Sequence, residues 1–416
     1  MLELTDFLKN KGDNDLLVCY GAGALGRLSI EAFKEKNIRV DFITDSDPRK
    51  LDANFENINT LEKSKLSELD KNTHFFVTAP FPEGIISSIS ELGFKNIYSS
   101  IELFEKSNFE EISNKLFKQR DFRGNKHVLK VRRNVDFYNE TCKKHLYKNN
   151  DLLKINTLDV QITEKCSLKC KDCSNLMQYY EKPQDSQTEI LLRSIDRFVS
   201  SIDTLEEFRV LGGDPFMNKE MHKIVRKLST YDKVKKIAVY TNARIVPKGE
   251  NLECLKHEKV LVDITNYGET TSTAHEKVIE KLTNEKIAFS TNRCVTWQDC
   301  GRILPNRGKN DEELGIQFMN CCNRDLISLL HGKLYRCPFS ANAANLKAIP
   351  INSKDEVNLI DEDISIKDLR EQIKNLYLDK KFLTACNNCN GRDFNSVNIE
   401  SAIQTKEPLK FTVTDS

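Results

Sequence analysis

The sequence has almost no net charge and no long apolar run. Its 416 residues include 63 Lys or Arg and 62 Asp or Glu, for a formal net charge of +1. So weak an overall field gives no reason to expect a nucleic-acid partner or an anionic membrane surface. No apolar stretch approaches the roughly 20 residues that a membrane-spanning helix requires. We therefore expect neither a nucleic-acid partner nor a membrane span.

The amino-terminal segment lacks the features of a secretory signal peptide. The run MLELTDFLKNKGDND is too acidic and too often interrupted by polar residues. The length indicates two or three domains, and the balance of charged and hydrophobic residues is that of a folded protein. In a long chain without an export signal, clustered cysteines are metal ligands rather than disulfides, so we expect a cytoplasmic protein.

Three of the 13 cysteines lie close together in the run ITEKCSLKCKDCSN. Three residues separate Cys166 from Cys170, and two separate Cys170 from Cys173. One short loop can therefore bring three thiolates, the usual ligands of iron–sulfur clusters, around one metal centre. The preceding run LDVQIT (158–163) indicates a strand that leads into this loop. A structural zinc site is the alternative, although no fourth cysteine or histidine lies near the triplet.

The spacing C-x3-C-x2-C resembles the signature of radical S-adenosylmethionine (SAM) enzymes. The resemblance implies that Cys166, Cys170 and Cys173 hold a four-iron four-sulfur (4Fe–4S) cluster with one iron open to SAM. It also implies reductive cleavage of SAM to methionine and a 5′-deoxyadenosyl radical, which takes a hydrogen atom from substrate. One departure is Asp172, because the family often has an aromatic residue before the third cysteine.

Two later segments are similar to SAM-binding parts of that family. The run ending a predicted strand at 208–213 resembles the family's GGE motif, with an aspartate as the acid, and comprises Gly212, Gly213, Asp214 and Pro215. The resemblance implies that backbone carbonyls and the acidic side chain bind the SAM amino group, which needs acceptors. Thr241 and Asn242 end the next strand, where the family often contacts the SAM ribose and carboxylate.

The region from 155 to about 312 alternates strands and helices, which predicts an α/β fold with parallel strands. The further strand candidates are 236–242, 260–266 and 286–292. Periodicity indicates about five strands, and the resemblance implies the six repeats of a partial (β/α)6 barrel.

A second group of cysteines lies toward the carboxyl end. Cys322 is followed by nine residues, Gly332, four residues and Cys337, and then by Cys386 and Cys389. This pattern resembles the SPASM/twitch extension of radical SAM enzymes, which implies an auxiliary 4Fe–4S cluster that relays electrons. The run HGKLYRCP predicts a hairpin turning on Gly332. Cys321 satisfies the same spacing as Cys322, and four thiolates also suit zinc, so both questions stay open.

Cys294 and Cys300 follow a predicted barrel strand in the run STNRCVTWQDC. A thiol that faces the cavity could return a hydrogen atom to a substrate radical, as in radical epimerases. The alternative is a cysteine with no chemical role.

The first 107 residues form a separate predicted α/β unit. Gly21, Gly23 and Gly26 match G-x-G-x-x-G between a strand at 16–20 and a helix, and Asp45 stands near the position of a ribose-binding acid. The pattern resembles Rossmann-like domains that accompany bacterial sugar-modifying enzymes, which implies a nucleotide or nucleotide-sugar ligand. The alternative is glycines that serve only a tight turn.

These observations predict four regions. They are a Rossmann-like domain (1–107), a basic helical connector (108–154), a radical SAM barrel (155–312) and an auxiliary-cluster region (313–416). We expect hydrogen abstraction from a sugar or nucleotide-sugar, with a flavodoxin- or ferredoxin-type electron donor; the outcome is oxidation, epimerisation or deamination. Two alternatives stay open: a radical SAM peptide maturase or sulfatase-activating enzyme, and a non-catalytic zinc-binding protein.

Overall fold

The chain divides into two compact units, residues 1–151 and 152–416, which are described separately. The computed structural model describes residues 1–12, 14–51, 55, 58–79, 82–108, 111–112, 153–323, 326–350, 352–392 and 396–412. Most of the predicted basic connector, 108–154, lies outside these described residues. No helix in the described part of the chain combines the length and apolar character that crossing a bilayer demands.

The first unit is built on a five-stranded parallel sheet in the order β3-β2-β1-β4-β5. The strands are β1 (Leu17–Tyr20), β2 (Phe42–Thr44), β3 (Asn59–Thr60), β4 (His74–Val77) and β5 (Ile97–Ser99). The described helices are α1 (Leu4–Asn10), α2 (Ala24–Glu35), α3 (Glu83–Glu91) and α4 (Ile101–Glu105). All four residues of β1 are buried, as expected for a central parallel strand covered on both faces. The strand order is that of doubly wound α/β folds.

The second unit contains an eight-stranded sheet in the order β10-β9-β8-β7-β6-β12-β13-β14. The strands are β6 (Lys154–Gln161), β7 (Thr204–Leu211), β8 (Val234–Thr241), β9 (Val260–Asn266), β10 (Phe289–Arg293), β12 (Leu326–Leu330), β13 (Lys333–Tyr335) and β14 (Glu356–Asn358). A separate antiparallel pair joins β11 (Thr296–Gln298) to β15 (Asn398–Glu400). The helices are α5 (Thr188–Ser201), α6 (Met221–Ser229), α7 (Glu250–Glu253), α8 (His275–Asn284), α9 (Asp311–Asn320), α10 (Pro338–Asn345) and α11 (Ile366–Lys374).

Six neighbouring strands of this sheet, from β10 to β12, run parallel. The predicted α/β class with parallel sheets is therefore confirmed. The sixth of these strands, β12, lies in the region 313–416 that the sequence assigns to the auxiliary-cluster extension. It nevertheless joins the parallel sheet, pairing with β6 from Leu326↔Thr157 to Leu329↔Val160.

Alternate residues of these strands pack against the helices. Leu158 and Val160 of β6 belong to the same core as Ile195 and Phe198 of α5. The intervening residues lie on the other side of the sheet, because side chains alternate along a strand. We call that side the polar face; it carries Asp159, Gln161, Arg209, Tyr240, Asp263, Ser290 and Ser328.

The hairpin predicted at Gly332 is confirmed. Strands β12 and β13 pair antiparallel with Leu330 opposite Lys333, which leaves a two-residue turn. Both turn residues, His331 and Gly332, have positive φ, at 47° and 84°. This backbone matches the twist of the flanking strands, and glycine adopts it without strain.

Candidate metal and cofactor site

The cysteine loop follows β6 and opens onto a cavity at the carboxyl ends of the parallel strands. This cavity is bordered by three thiols from the loop and by the turns that follow β7 and β8. These lining residues include Cys166, Cys170, Cys173, Gly212, Gly213 and Asn242. Because β6, β7 and β8 are neighbours, three segments distant in sequence converge at one edge of the sheet.

The Gly212–Gly213 turn packs directly against the start of the cysteine loop. A Cβ on Gly212 would come within 2.1 Å of the Thr163 carbonyl oxygen, and one on Gly213 within 2.3 Å of the Lys165 carbonyl oxygen. The Gly213 N–H donates to the Thr163 carbonyl at 3.0 Å. Only glycine allows the two backbones to approach so closely.

Asp214 is buried and joins the end of β7 to the end of β8. Its carboxylate accepts hydrogen bonds from the Phe216 N–H at 3.0 Å, the Thr241 hydroxyl at 2.9 Å and the Asn242 N–H at 3.1 Å. Burial raises the pKa of Asp214 to about 6, although these hydrogen bonds act to lower it. Asp214, Pro215 and Thr241 do not line the cavity, whereas Asn242 does. Contact of the first three with a cofactor stays a prediction.

Asn242 contacts the cysteine loop itself. Its Nδ2 donates to the Cys166 sulfur at 3.6 Å, and its Oδ1 accepts from the Ser167 hydroxyl at 3.2 Å. The Leu168 N–H also donates to the Cys166 sulfur, at 3.4 Å. These donors favour a thiolate at Cys166 over a neutral thiol.

Burial otherwise opposes ionisation of the three thiols. It raises the pKa of Cys170 to about 12 and raises those of Cys166 and Cys173 above their ordinary value. Three such thiols around one cavity need a cationic centre to become thiolates, because a bound metal stabilises the deprotonated form. An iron–sulfur cluster fits this all-sulfur donor set.

Among the described residues, no three or more His, Cys, Asp or Glu side chains lie close enough together to hold a single metal ion. A 4Fe–4S cluster is larger than an ion and holds its thiolates farther apart, so this finding concerns a mononuclear site alone.

The carboxyl-terminal cysteines border a second cavity. The thiols that line it are Cys300, Cys321, Cys337, Cys386 and Cys389. Of the two adjacent candidates, Cys321 is in this set, whereas Cys322 is exposed. The Cys322 sulfur instead lies 3.8 Å from the Asn323 Oδ1.

The two cysteines proposed to face a substrate are in different surroundings. Cys300 is buried and borders both cavities. Cys294 is partly buried, borders neither of these two cavities, and directs its sulfur toward the Thr296 carbonyl at 3.6 Å.

Arg392 is a site residue that the sequence did not indicate. It borders both cavities, and its buried Nε has no hydrogen-bond partner among the residues that the structure describes. The thiols of Cys300 and Cys321 are among the groups that raise the pKa of this guanidinium, against the opposing effect of burial. No motif surrounds Arg392, so only the folded chain identifies it.

The glycine turn of the first unit is held by its own residues. The Asp45 carboxylate accepts from the Ala22 N–H at 2.7 Å and from the Asp47 N–H at 2.8 Å. A Cβ on Gly26 would lie 1.7 Å from the Gly21 carbonyl oxygen, so these two glycines serve close packing. A Cβ on Gly23 would meet no described atom within 4 Å. A nucleotide ligand at this turn stays a prediction.

Comparison with known proteins identifies the region that contains the cysteine loop. Residues 160–295 match the Radical SAM superfamily. The chain is 31% identical over 87 residues to GTP 3′,8-cyclase from Mannheimia succiniciproducens, covering 20% of this chain and 25% of that protein. It is 30% identical over 93 residues to the mitochondrial GTP 3′,8-cyclase of Arabidopsis thaliana, covering 22% and 23%. The chain thus spans about a quarter of the length of these relatives.

Among solved structures, BtrN in complex with AdoMet and 2-DOIA is similar, with a TM-score of 0.38 and 15% identity. The match covers 57% of this chain and 93% of BtrN.

Proposed function

Since residues 160–295 form a radical SAM domain, we propose that this chain is an iron–sulfur enzyme that uses SAM to remove a hydrogen atom from a sugar or nucleotide-sugar. One observation carries the proposal: three thiols share a cavity with the turns that follow β7 and β8. Cys166, Cys170 and Cys173 would hold the cluster, and the Gly212–Gly213 backbone would border SAM. When bound, the cluster and SAM would supply a 5′-deoxyadenosyl radical.

The polar face supports an oxygen-rich substrate. Asp159 lies in register between Arg209 on one neighbouring strand and Ser328 on the other. Both amide atoms of Gln161 and the Ser328 hydroxyl are buried, and none of them has a hydrogen-bond partner in the described part of the chain. Each such group costs on the order of 1–3 kcal/mol of stability, and a ligand rich in hydroxyl groups would satisfy several of them.

The polar face is electrostatically linked to the cysteine cavity. Burial raises the pKa of Asp159 to about 6, and the positive charges of Arg209 and Arg392 act against that rise. The Arg209 Nη1 lies 3.5 Å from the Asp159 Oδ1, which makes an ion pair without a hydrogen bond. Arg392 borders the cavity of the cysteine loop. A substrate that contacts Arg392 and Asp159 would therefore lie beside that cavity.

Deuterium transfer tests this function. The anaerobically reconstituted protein is incubated with SAM, a reductant and deuterated candidates: sugars, nucleotide-sugars, GTP and peptides. We expect deuterium in 5′-deoxyadenosine with a sugar or nucleotide-sugar, and none with the Cys166→Ala variant. Transfer from a peptide alone would indicate the peptide-maturase alternative, and transfer from GTP alone would match the relatives. Zinc in place of iron at the cysteine loop would exclude radical chemistry.

We further propose that Cys321, Cys337, Cys386 and Cys389 hold an auxiliary 4Fe–4S cluster that relays electrons. Their shared cavity supports this set, and Arg392 would bring positive charge close to it. A cytoplasmic flavodoxin- or ferredoxin-type donor would supply the electrons.

Iron analysis distinguishes the ligands of the second cavity. Two 4Fe–4S clusters give roughly eight irons per chain. We expect Cys321→Ser to lose about half of them and the adjacent Cys322→Ser to lose none. The opposite result would assign Cys322, and zinc in the second cavity would exclude an auxiliary cluster.

A further inference from the structure

The segment that follows β15 crosses the cysteine loop and pairs with it. We call residues 401–405 the strap. The Lys171 N–H donates to the Ile403 carbonyl at 2.7 Å, and the Thr405 N–H donates to the Lys169 carbonyl at 2.8 Å. Between them, Cys170 and Gln404 form an antiparallel bridge. The middle of the cysteine loop is therefore held by a segment more than 230 residues later in the chain.

The strap also packs on the loop. Ala402 is buried and belongs to the same apolar cluster as Leu168 and Cys170. Cys166, Cys173, Tyr267 and Trp297 pack against that cluster. Strand β15 fixes the approach of the strap, because it pairs with β11, the strand that contains Trp297.

Gln404 forms hydrogen bonds with both the backbone and a sulfur atom of the loop. Its Oε1 accepts from the Lys169 N–H at 2.7 Å, which fixes the orientation of the amide. The amide nitrogen then faces the Cys170 sulfur at 3.2 Å and the Ala402 carbonyl at 2.6 Å. Both hydrogens of the amide nitrogen are thus used, one of them on sulfur.

Donors to a cluster's sulfur ligands withdraw negative charge and make the cluster easier to reduce. Cys166 receives donors from Leu168 and Asn242, which belong to the loop and to the turn after β8. Cys170 receives its donor from the strap. We propose that Gln404 is a positioning residue that raises the reduction potential of the cluster held by this loop. The inference depends on the radical SAM function proposed above.

The test compares midpoint potentials of the cluster, measured by redox titration with electron paramagnetic resonance, in the full-length protein. Gln404→Leu removes the donor to sulfur. Gln404→Glu keeps an acceptor for the Lys169 N–H but places negative charge beside Cys170. We expect a more negative potential than wild type in both variants, with the larger shift in Gln404→Glu.

Thr405→Val is the matched control. In the wild-type protein the Thr405 hydroxyl donates to the Lys169 carbonyl at 3.4 Å; it belongs to the same strap and does not contact the sulfur. We expect its potential to equal that of wild type. A merely structural role would instead lower iron content in Gln404→Leu and leave unchanged the potential of any cluster that this variant retains.

The outcomes separate the two proposals. Wild-type potentials in Gln404→Leu and Gln404→Glu, with a normal cluster spectrum, would overturn the role of Gln404 and leave the radical SAM function intact. A wild-type protein that assembles no cluster at Cys166, Cys170 and Cys173 would overturn both. If Gln404→Leu retains no iron, Gln404→Met decides the outcome, because its neutral side chain has a similar length and no donor.

Discussion

The two units of this chain use similar glycine turns for different ends. In each, a parallel strand leads into a turn whose glycines allow backbone atoms to approach closely, at Gly26 in the first unit and at Gly212 in the second. In each, an aspartate accepts backbone N–H groups across the turn: Asp45 from Ala22, and Asp214 from Asn242. The second unit additionally brings three thiols to the turn.

The comparison shows why a motif is a weak guide to a ligand. Gly26 and Asp45 in the first unit, and Gly212 and Asp214 in the second, have structural roles that explain their presence. What distinguishes the second turn is the surrounding cavity and its chemical groups. The following predictions test that distinction, beginning with the largest expected effect.

Removal of a sulfur ligand should abolish activity, whereas removal of the acid in the first unit should not. We expect Cys173→Ser to lower reductive SAM cleavage by at least about a thousandfold, because the cluster loses a ligand. Asp45→Asn should leave the rate of SAM cleavage unchanged. Cys254→Ala, at a buried cysteine outside both cavities, is the matched control. Loss of SAM cleavage in Asp45→Asn would instead indicate that the glycine turn of the first unit is also needed for this reaction.

Glycine substitution should separate packing from open space within one motif. We expect Gly26→Ala to destabilise the first unit by about 3 kcal/mol, because its Cβ meets the Gly21 carbonyl. Gly23→Ala should change stability by no more than about 0.5 kcal/mol. Hydrogen exchange of the β1 amides, Leu17–Tyr20, reports the effect locally. Equal protection in the two variants would contradict the close-packing role.

The buried carboxyl group of Asp159, on the polar face, should make the free energy of unfolding of the second unit depend on pH. The pKa of Asp159 is raised to about 6 in the folded state. Its contribution to the free energy of unfolding is therefore fully present at pH values below the pKa of the unfolded state, about 4. That contribution is lost as the pH rises through about 6. Asp159→Asn should reduce the difference in unfolding free energy between pH 4 and pH 7 by about 2 kcal/mol. Denaturant titrations measure this, and parallel pH curves for the two proteins would refute it.

Local pattern predicted the parts of the site that are contiguous in sequence. The cysteine triplet and the run FRVLGG indicated a loop and a strand, and both lie at the same sheet edge. The glycines of that run lie outside β7, which ends at Leu211, because their backbone turns toward Thr163. The hairpin at Gly332 was predicted because its turn residues have a strong backbone preference.

Long-range partners could not be predicted in the same way. Strand β12 completes the parallel set by pairing with β6, a strand about 170 residues earlier. Its sequence LISLL does not indicate which strand it pairs with. Arg392 and Gln404 have no distinctive local pattern, and their importance comes from what the fold places beside them. Which of Cys321 and Cys322 borders the second cavity depends on the direction of one side chain.

The strap has a consequence for biosynthesis. Residues 166–173 leave the ribosome long before residues 401–405, so during translation the nascent loop lacks the segment that later covers it. Iron and sulfide delivered before the strap is made would meet an incomplete site, exposed to water and oxygen. We therefore expect a cluster held by Cys166, Cys170 and Cys173 to be inserted only after the strap has been translated.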